Sequence, residues 1–211
     1  FAEQAAHAAA VGWPAEQVAV SQIASLVSGI TTSDVIGGYY SKDEGHLDPG
    51  GLCQAYARRL KARGGQTRNN LRVRNLLVER GRVIGVQTDE GSLTADRVVL
   101  AAGTASIELC ARAGVKLPGT IGFRRIFMAT GAGLPEPGGP LVLMRTPRLY
   151  FRAERGGLLL SGWEFSDALE DRASALEGLL PRACQRLPAL ANAGVKAAWA
   201  GAQLHTNDQR P

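Results

Sequence analysis

The apolar run at residues 98–102 (VVLAA) limits the possible folds of this chain more than any other segment. Five apolar residues in a row, followed by Gly103, are typical of a strand that is buried on both faces of a parallel sheet. Such strands occur in α/β folds, where helices cover the sheet. We therefore expect an α/β domain here, with a helix over residues 106–113 that stops at Gly114.

The second half of the sequence has a different character. Turns rich in Gly and Pro separate four short segments of strand-forming residues, at 123–130, 141–144, 148–152 and 158–163. This pattern predicts an antiparallel sheet. An amphipathic helix over 173–187 and a last strand over 196–204 follow. Because the two sheets differ in type, we predict an α/β plus α+β fold in which two domains are interleaved along the chain.

The first half of the sequence contains helix and turn signals. Residues 1–26 are helical in pattern, with a break at Gly12 and Pro14 suited to the first turn of a second helix. A strand is expected over residues 35–40. Asp48 and Pro49 predict a capped helix with one buried face, ending at residues 64–65. Three short strands at 72–78, 82–88 and 92–94 predict an antiparallel meander.

Composition excludes several classes of protein. The net charge of +5 comes from scattered arginines, so no nucleic-acid partner is expected. No apolar run approaches the roughly 20 residues that cross a bilayer. The three cysteines have no ligand spacing and predict reduced thiols in a cytoplasmic protein without a metal site, at positions Cys53, Cys110 and Cys184. His46 and His205 lack partners at catalytic or ligand spacing, so no catalytic residue is assigned.

Four stretches, in this order, resemble the D-amino-acid oxidase and sarcosine oxidase (DAO) family of flavoenzymes. They are GGYY at 37–40 with GHLDP at 45–49, Val73 with GRVIGVQT at 81–88, DRVVLAAG at 96–103, and WAG at 199–201 with TND at 206–208. The resemblance implies FAD as cofactor. It also implies oxidation of the C–N bond of a small amine or amino acid to an imine, by hydride transfer to the flavin.

The resemblance also implies how the domains divide. Residues 1–44 and 119–198 would form the substrate domain, whose antiparallel sheet covers the flavin ring. Residues 45–118 and 199–211 would belong to a Rossmann-like FAD-binding domain. In the family a GxGxxG loop holds the flavin pyrophosphate at a helix N-terminus. No segment here supplies that loop, because residues 131–133 lead into prolines and are typical of a surface turn, so we expect an internal piece of a longer enzyme, inactive alone.

Flavin contacts implied by the resemblance fall on Val73 and on the turn Ala101-Ala102-Gly103. The backbone of Val73 would face the adenine, and Gly103 would let the backbone approach the cofactor because it has no side chain. The residues alone leave two other interpretations open: Val73 as part of a plain core strand, and Gly103 as an ordinary glycine at a strand end.

Substrate contacts implied by the resemblance fall on Tyr150, Arg152, Glu164 and Gln203. Tyr150 and Arg152 lie two residues apart and so share one side of their strand, but the spacing does not distinguish a pocket from a solvated face. Some relatives carry an Arg, which pairs with the substrate carboxylate, at the position of Gln203. Gln cannot form that charged bidentate pair, which favours either Arg152 as the cation or a substrate without that carboxylate.

Two other interpretations of function stay open at this point. One is a different flavoprotein dehydrogenase on the same scaffold, acting on a hydroxy acid or glycerol phosphate. The other is a non-catalytic subunit or assembly module. The substrate, the electron acceptor and the choice between a homo-oligomer and a hetero-oligomer do not follow from the sequence.

Overall fold

The computed structural model describes residues 2–13, 15–162 and 164–206. Four residues that belong to the sequence patterns above fall outside these ranges: Pro14, Trp163, Asn207 and Asp208. The described residues form a mixed α/β structure with antiparallel sheets, which confirms the predicted fold class. The elements, in chain order, are α1 (Ala2–Ala10), β1 (Glu16–Val18), α2 (Val20–Leu26), β2 (Gly38–Tyr40), α3 (Pro49–Ala62), β3 (Val73–Glu79), β4 (Arg82–Thr88), β5 (Gly91–Thr94), α4 (Ala105–Arg112), β6 (Thr120–Thr130), β7 (Val142–Met144), β8 (Leu149–Glu154), β9 (Gly157–Gly162), α5 (Arg172–Arg186), a 3₁₀-helix (Pro188–Asn192) and β10 (Gly194–His205).

The chain divides into two compact units. The first comprises residues 1–43 and 121–203, and the second comprises residues 44–120 with the segment from 204 onward. The assignment of the first unit to the substrate and of the second to FAD stays a prediction.

A five-stranded sheet in the order β10-β6-β9-β8-β7 dominates the first unit, and β6, β9, β8 and β7 each run antiparallel to their neighbours in that order. Its strands confirm the predicted segments between residues 123 and 162. One face of this sheet packs against α5, whose first turn is capped by the side chain of Asp171. The buried core comprises Val27, Phe127, Ala129, Leu149, Phe151, Leu158, Leu160, Leu179, Ala183, Leu187 and Leu190.

A buried arginine connects α5 to the segment that precedes β2 through an ion pair and hydrogen bonds. Arg186 is 5% exposed and forms a bidentate ion pair with Asp34, with Nη2 donating to Oδ2 at 2.7 Å. Its Nη1 also donates to the carbonyl oxygen of Thr31 at 3.2 Å, and the Thr31 N–H donates to the Arg186 carbonyl oxygen at 2.7 Å. The hydrogen bond from Arg186 holds the pKa of Asp34 below its usual value.

Gly178 offers a simple test of the α5 assignment. It lies inside the helix, and a Cβ added there would meet no heavy atom within 4 Å. Because Gly loses more backbone entropy than Ala on folding, Gly178→Ala should stabilise the protein by about 0.5–1 kcal/mol. Thermal unfolding should show a rise of roughly 2–4 °C in Tm per kcal/mol. A lower Tm would show that this position is not an open helical site.

The second unit contains the predicted meander β3-β4-β5 and the helices α3 and α4. α3 begins where predicted, with Pro49 in its first turn and the Asp48 side chain accepting the Gly50 N–H at 3.0 Å. α4 ends before Gly114, whose φ of 76° closes the helix. α4 lies against β3, where Arg112 Nη1 donates to the Arg74 carbonyl oxygen at 2.8 Å.

Two predictions of burial in the second unit were wrong. Residues 97–102 form no strand, and Val99 is 89% exposed. A strand buried on both faces needs layers over both faces, and no strand of the described chain pairs with this segment. The apolar positions of α3 are also exposed, at 41% for Leu52, 66% for Tyr56 and 46% for Leu60. No other described element packs extensively against α3.

The N-terminal helices also differ from the prediction. Instead of a second helix that starts at Pro14, the strand β1 pairs with β2, and α2 starts only at Val20. The strand expected over residues 35–40 is limited to β2, because Ile36 is fully exposed and outside the ladder. None of the helices in the described ranges is both long and apolar enough to span a bilayer.

Candidate functional site

The five-stranded sheet carries Tyr150 and Arg152 on the face that does not pack against α5. Their neighbours Leu149 and Phe151 are buried in the core, and side chains alternate along a strand. Pairing across the sheet extends this face. Tyr150 pairs with Leu143 and Ser161, Ser161 with Ile126, Arg152 with Leu159, and Leu159 with Met128. These seven residues and Arg124, two residues before Ile126, are called the Tyr150 face below.

Arg152 forms an ion pair with Glu154, a residue of the same strand. Arg152 Nε donates to Glu154 Oε1 at 2.7 Å, and Nη2 also contacts that carboxylate. The two side chains are only 21% and 28% exposed, so the pair is shielded from water. Arg152 is therefore already neutralised by Glu154, which weakens the expectation that it pairs with a substrate carboxylate.

Arg124 is a member of the Tyr150 face that sequence reasoning missed. Its guanidinium carbon lies 3.8 Å from the centre of the Phe165 ring and 5.5 Å from that of the Tyr150 ring. Both distances are within the range of a cation–π contact. Alternation along the predicted strand 123–130 could have placed Arg124 on this face, but no local signal predicts its two aromatic partners.

Glu164 lies away from the Tyr150 face. The preceding Gly162 pairs with the core residue Leu149, and a Cβ on it would lie 2.9 Å from both Arg182 Nη2 and Glu164 Oε2. Glu164 forms a bidentate pair with Arg182 of α5, at 3.0 and 3.3 Å. Burial raises the pKa of Glu164, but the hydrogen bonds from Arg182 and from the Glu164 backbone, together with the charges of Arg182 and Arg148, outweigh burial, and the net shift of the pKa is downward. The structure does not bring Glu164 together with Tyr150 and Arg152.

Acid should destabilise this unit through three carboxyl groups. The pKa is lowered at Asp34 by its hydrogen bond from Arg186, at Glu164 as described, and at Asp171 by a serine hydroxyl of α5. A group with a lowered folded-state pKa stabilises the fold above its ordinary value, here 3.8 for Asp and 4.5 for Glu. That contribution is lost as the pH falls through the lower folded-state pKa.

Urea unfolding between neutral pH and about pH 3 should therefore show a free energy of unfolding that decreases below pH 4.5. Glu164→Gln should flatten part of this decrease, because the variant has one fewer carboxyl group to protonate. A free energy that rises on acidification would contradict these pKa directions.

The predicted flavin contacts lie on exposed backbone of the second unit. Val73 is the first residue of β3, pairs with Thr88 and is 37% exposed. Ala101, Ala102 and Gly103 are exposed and immediately precede α4, which packs against β3. Gly103 has φ 57°, and a Cβ there would meet no heavy atom within 4 Å. The space in front of this turn is open, so the residues fit the close approach of a cofactor.

Gln203 is exposed in β10. Its amide brings no charge to the sheet edge, as the sequence indicates. Within the described ranges, no group of three or more His, Cys, Asp or Glu side chains is placed to hold a metal ion.

Comparison with known families decides the class of protein. The family model of the DAO family, described as FAD dependent oxidoreductase, matches residues 1–211. The chain belongs to this family. Members of the DAO family depend on FAD, and the resemblance inferred from the four sequence stretches is confirmed.

Relatives within the DAO family include amine-oxidising enzymes. The chain is 41% identical over 88 residues to 4-methylaminobutanoate oxidase (formaldehyde-forming) of Paenarthrobacter nicotinovorans, covering 42% of this chain and 11% of that protein. It is 27% identical over 220 residues to human mitochondrial sarcosine dehydrogenase, and this match covers 96% of this chain and 24% of the dehydrogenase. The chain thus spans a quarter or less of the length of these two relatives.

A solved structure shows the same fold. The L-proline dehydrogenase of P. horikoshii superposes with a TM-score of 0.83 at 21% identity, over 95% of this chain and 55% of that one. At this identity the match supports the fold, whereas the roles of individual residues stay predictions.

Proposed function

We propose that this chain is part of an FAD-dependent enzyme that oxidises the C–N bond of a small N-methylated amine. The match of the whole chain to an FAD-dependent oxidoreductase family carries this proposal. The names of two relatives, a 4-methylaminobutanoate oxidase that forms formaldehyde and a sarcosine dehydrogenase, support N-methyl amines as the substrate class. Cytoplasmic location and the oligomeric state stay predictions.

The charges of the first unit support a particular kind of substrate. Gln203 is neutral, and Arg152 is already paired with Glu154. A carboxylate entering a dry site without a compensating charge is strongly disfavoured. We therefore propose an amine whose acid group, if it has one, stands several carbons from the amine nitrogen rather than one carbon away.

The FAD would be held by the second unit. The backbone at Val73 and the turn from Ala101 to Gly103 are the proposed contacts, because they are exposed and, at Gly103, free of a side chain. When bound, FAD accepts the two electrons and the hydrogen that leave the substrate carbon. Loss of a hydride equivalent from the methyl group leaves a C=N bond, and water then releases formaldehyde and the demethylated amine.

The residues of the Tyr150 face would bind and orient the amine. Ile126, Met128 and Leu159 offer apolar surface, and the Tyr150 ring is held by Arg124. An apolar environment disfavours the charged form of an amine, so it favours the neutral form whose lone pair becomes the C=N bond. Exclusion of water would also protect the C=N bond from hydrolysis while it is in the site.

Replacing Tyr150 tests where the substrate binds. In the protein that contains this chain, Tyr150→Ala should lower kcat/KM for an N-methyl amine by at least about tenfold, equivalent to roughly 1.4 kcal/mol of transition-state binding. FAD content should not change, because the proposed FAD contacts lie in the other unit. Tyr56→Ala is the matched control, since Tyr56 lies in α3 of the second unit and is 66% exposed. Unchanged kinetics in Tyr150→Ala, or equal losses in both variants, would contradict the proposed site.

A further inference from the structure

The ion pair between Arg152 and Glu154 stands at one end of the Tyr150 face. Both residues lie in β8, two positions apart, so their side chains project from the same side of the sheet as Tyr150. Glu154 is the last residue of β8 and pairs across the sheet with Gly157, the first residue of β9. The ion pair therefore lies where the β8–β9 hairpin turns, beside the surface proposed for the amine.

Glu154 occupies one edge of the Arg152 guanidinium. Arg152 Nε donates to Glu154 Oε1 at 2.7 Å, and Nη2 contacts the same oxygen. A guanidinium edge of this kind is what binds a carboxylate through two parallel hydrogen bonds. Within the described ranges, no second carboxylate oxygen lies within 4.0 Å of this guanidinium. Glu154 is thus the group that balances the charge of Arg152.

The pair is shielded enough for the loss of one partner to matter. The Arg152 side chain is 21% exposed and the Glu154 side chain 28%. Water and ions screen charges at such sites less than on an open surface. Removal of one partner leaves the other charge without compensation, which is costly. An anionic group of a ligand would offset that cost by pairing with the remaining arginine.

We propose that Glu154 determines which amines the Tyr150 face accepts, and that it does so through Arg152. With Glu154 present, a carboxylate one carbon from the amine nitrogen meets an arginine that is already neutralised and a like charge beside it. With a neutral residue in its place, Arg152 would be available to that carboxylate in a planar, charged contact. The inference rests on the proposed function, because it takes the Tyr150 face as the amine site.

Glu154→Gln tests the inference by removing the charge while keeping the shape of the side chain. Gln retains an oxygen that accepts from Arg152 Nε, so the variant should fold. In the FAD-loaded protein that contains this chain, we compare kcat/KM for sarcosine with kcat/KM for N-methylpropylamine, which has no carboxylate. The ratio of the two should rise about tenfold to a hundredfold. A purely structural role of Glu154 would lower both values together and leave their ratio unchanged.

Two control variants separate the effect of Arg152 from general effects. Arg152→Gln in the Glu154→Gln background should return the ratio to that of the unmodified protein, because the released cation is gone. Glu164→Gln breaks a Glu–Arg pair with Arg182, away from the Tyr150 face, and should leave the ratio unchanged. An unchanged ratio in Glu154→Gln, a gain that persists in the double variant, or an equal gain in Glu164→Gln would overturn the inference.

Acetate binding distinguishes a failure of this inference from a failure of the proposed function, because it needs no turnover. Isothermal titration calorimetry should give a dissociation constant for acetate about tenfold to a hundredfold lower in Glu154→Gln than in the unmodified protein. The double variant should lose this gain. If acetate binds as expected but the unmodified protein oxidises neither amine, the proposed function is wrong and the control of Arg152 by Glu154 stands. Equal acetate affinity with and without Glu154 would overturn the inference whatever the kinetics show.

Discussion

Gly103→Val should leave the protein that contains this chain with less than about a tenth of the normal flavin content, a change of about 1.4 kcal/mol or more in FAD binding. Gly103 has φ 57°, a region that costs residues with a side chain roughly 1–2 kcal/mol and that β-branched residues rarely adopt. The new side chain would also occupy the open space in front of the turn, where we propose that the cofactor approaches. Flavin absorbance per protein, recorded after purification with added FAD, measures the effect.

Gly114→Val separates the loss of cofactor from backbone strain. Gly114 stands at the other end of α4 and has φ 76°, and a Cβ added there would also meet no heavy atom within 4 Å. The substitution should cause similar strain at a site with no proposed cofactor contact, and flavin content should stay near normal. Normal flavin in a folded Gly103→Val variant, or an equal loss in both variants, would remove Gly103 from the cofactor site.

Gln203→Arg should change which substrates the enzyme accepts. An arginine at this position would supply the charged, bidentate partner that some relatives are inferred to use and that Gln203 lacks. Charged hydrogen bonds contribute about 1.5–3 kcal/mol, so kcat/KM for sarcosine, whose carboxylate is one carbon away from the amine nitrogen, should rise about tenfold to a hundredfold. For N-methylpropylamine, which has no carboxylate, it should change little.

Gln203→Lys is the control, because lysine supplies a positive charge without the planar guanidinium of arginine. It should raise kcat/KM for sarcosine by less than Gln203→Arg does. Steady-state kinetics with both substrates distinguish the outcomes. An equal gain for the neutral amine, or no gain for sarcosine, would show that position 203 does not face the substrate carboxylate.

Local patterns predicted most elements of this fold. Asp48 and Pro49 determine the start of α3 within a few residues of sequence, and Gly114 determines the end of α4. The strands of the two antiparallel sheets are bounded by turn residues in the sequence. These signals depend on backbone preferences of neighbouring residues and need no knowledge of distant contacts.

Burial and side-chain pairing could not be predicted in the same way. The apolar segment around Val99 and the apolar positions of α3 have the composition of buried elements, but their exposure depends on what packs over them. The Arg152–Glu154 pair could have been predicted, because residues two apart on a strand share a face. The contacts of Arg124 with two rings depend on the sheet register, which the sequence does not specify.

The order of motifs was informative about the family even though single residue roles were not. Each of the four stretches is common alone, whereas their order along the chain matches the family that the comparison identifies. Glu164 shows the limit of this inference, because its pairing with Arg182 depends on where α5 packs.

Anaerobic reduction of the bound flavin tests the central proposal most directly. The protein that contains this chain is mixed without oxygen with an N-methyl amine, such as 4-methylaminobutanoate, or with the corresponding hydroxy acid. We predict loss of the oxidised-flavin absorbance with the amine, with about one formaldehyde released per flavin reduced, and no change with the hydroxy acid. Reduction by the hydroxy acid alone, or by neither compound nor any other N-methyl amine, would contradict an amine oxidoreductase.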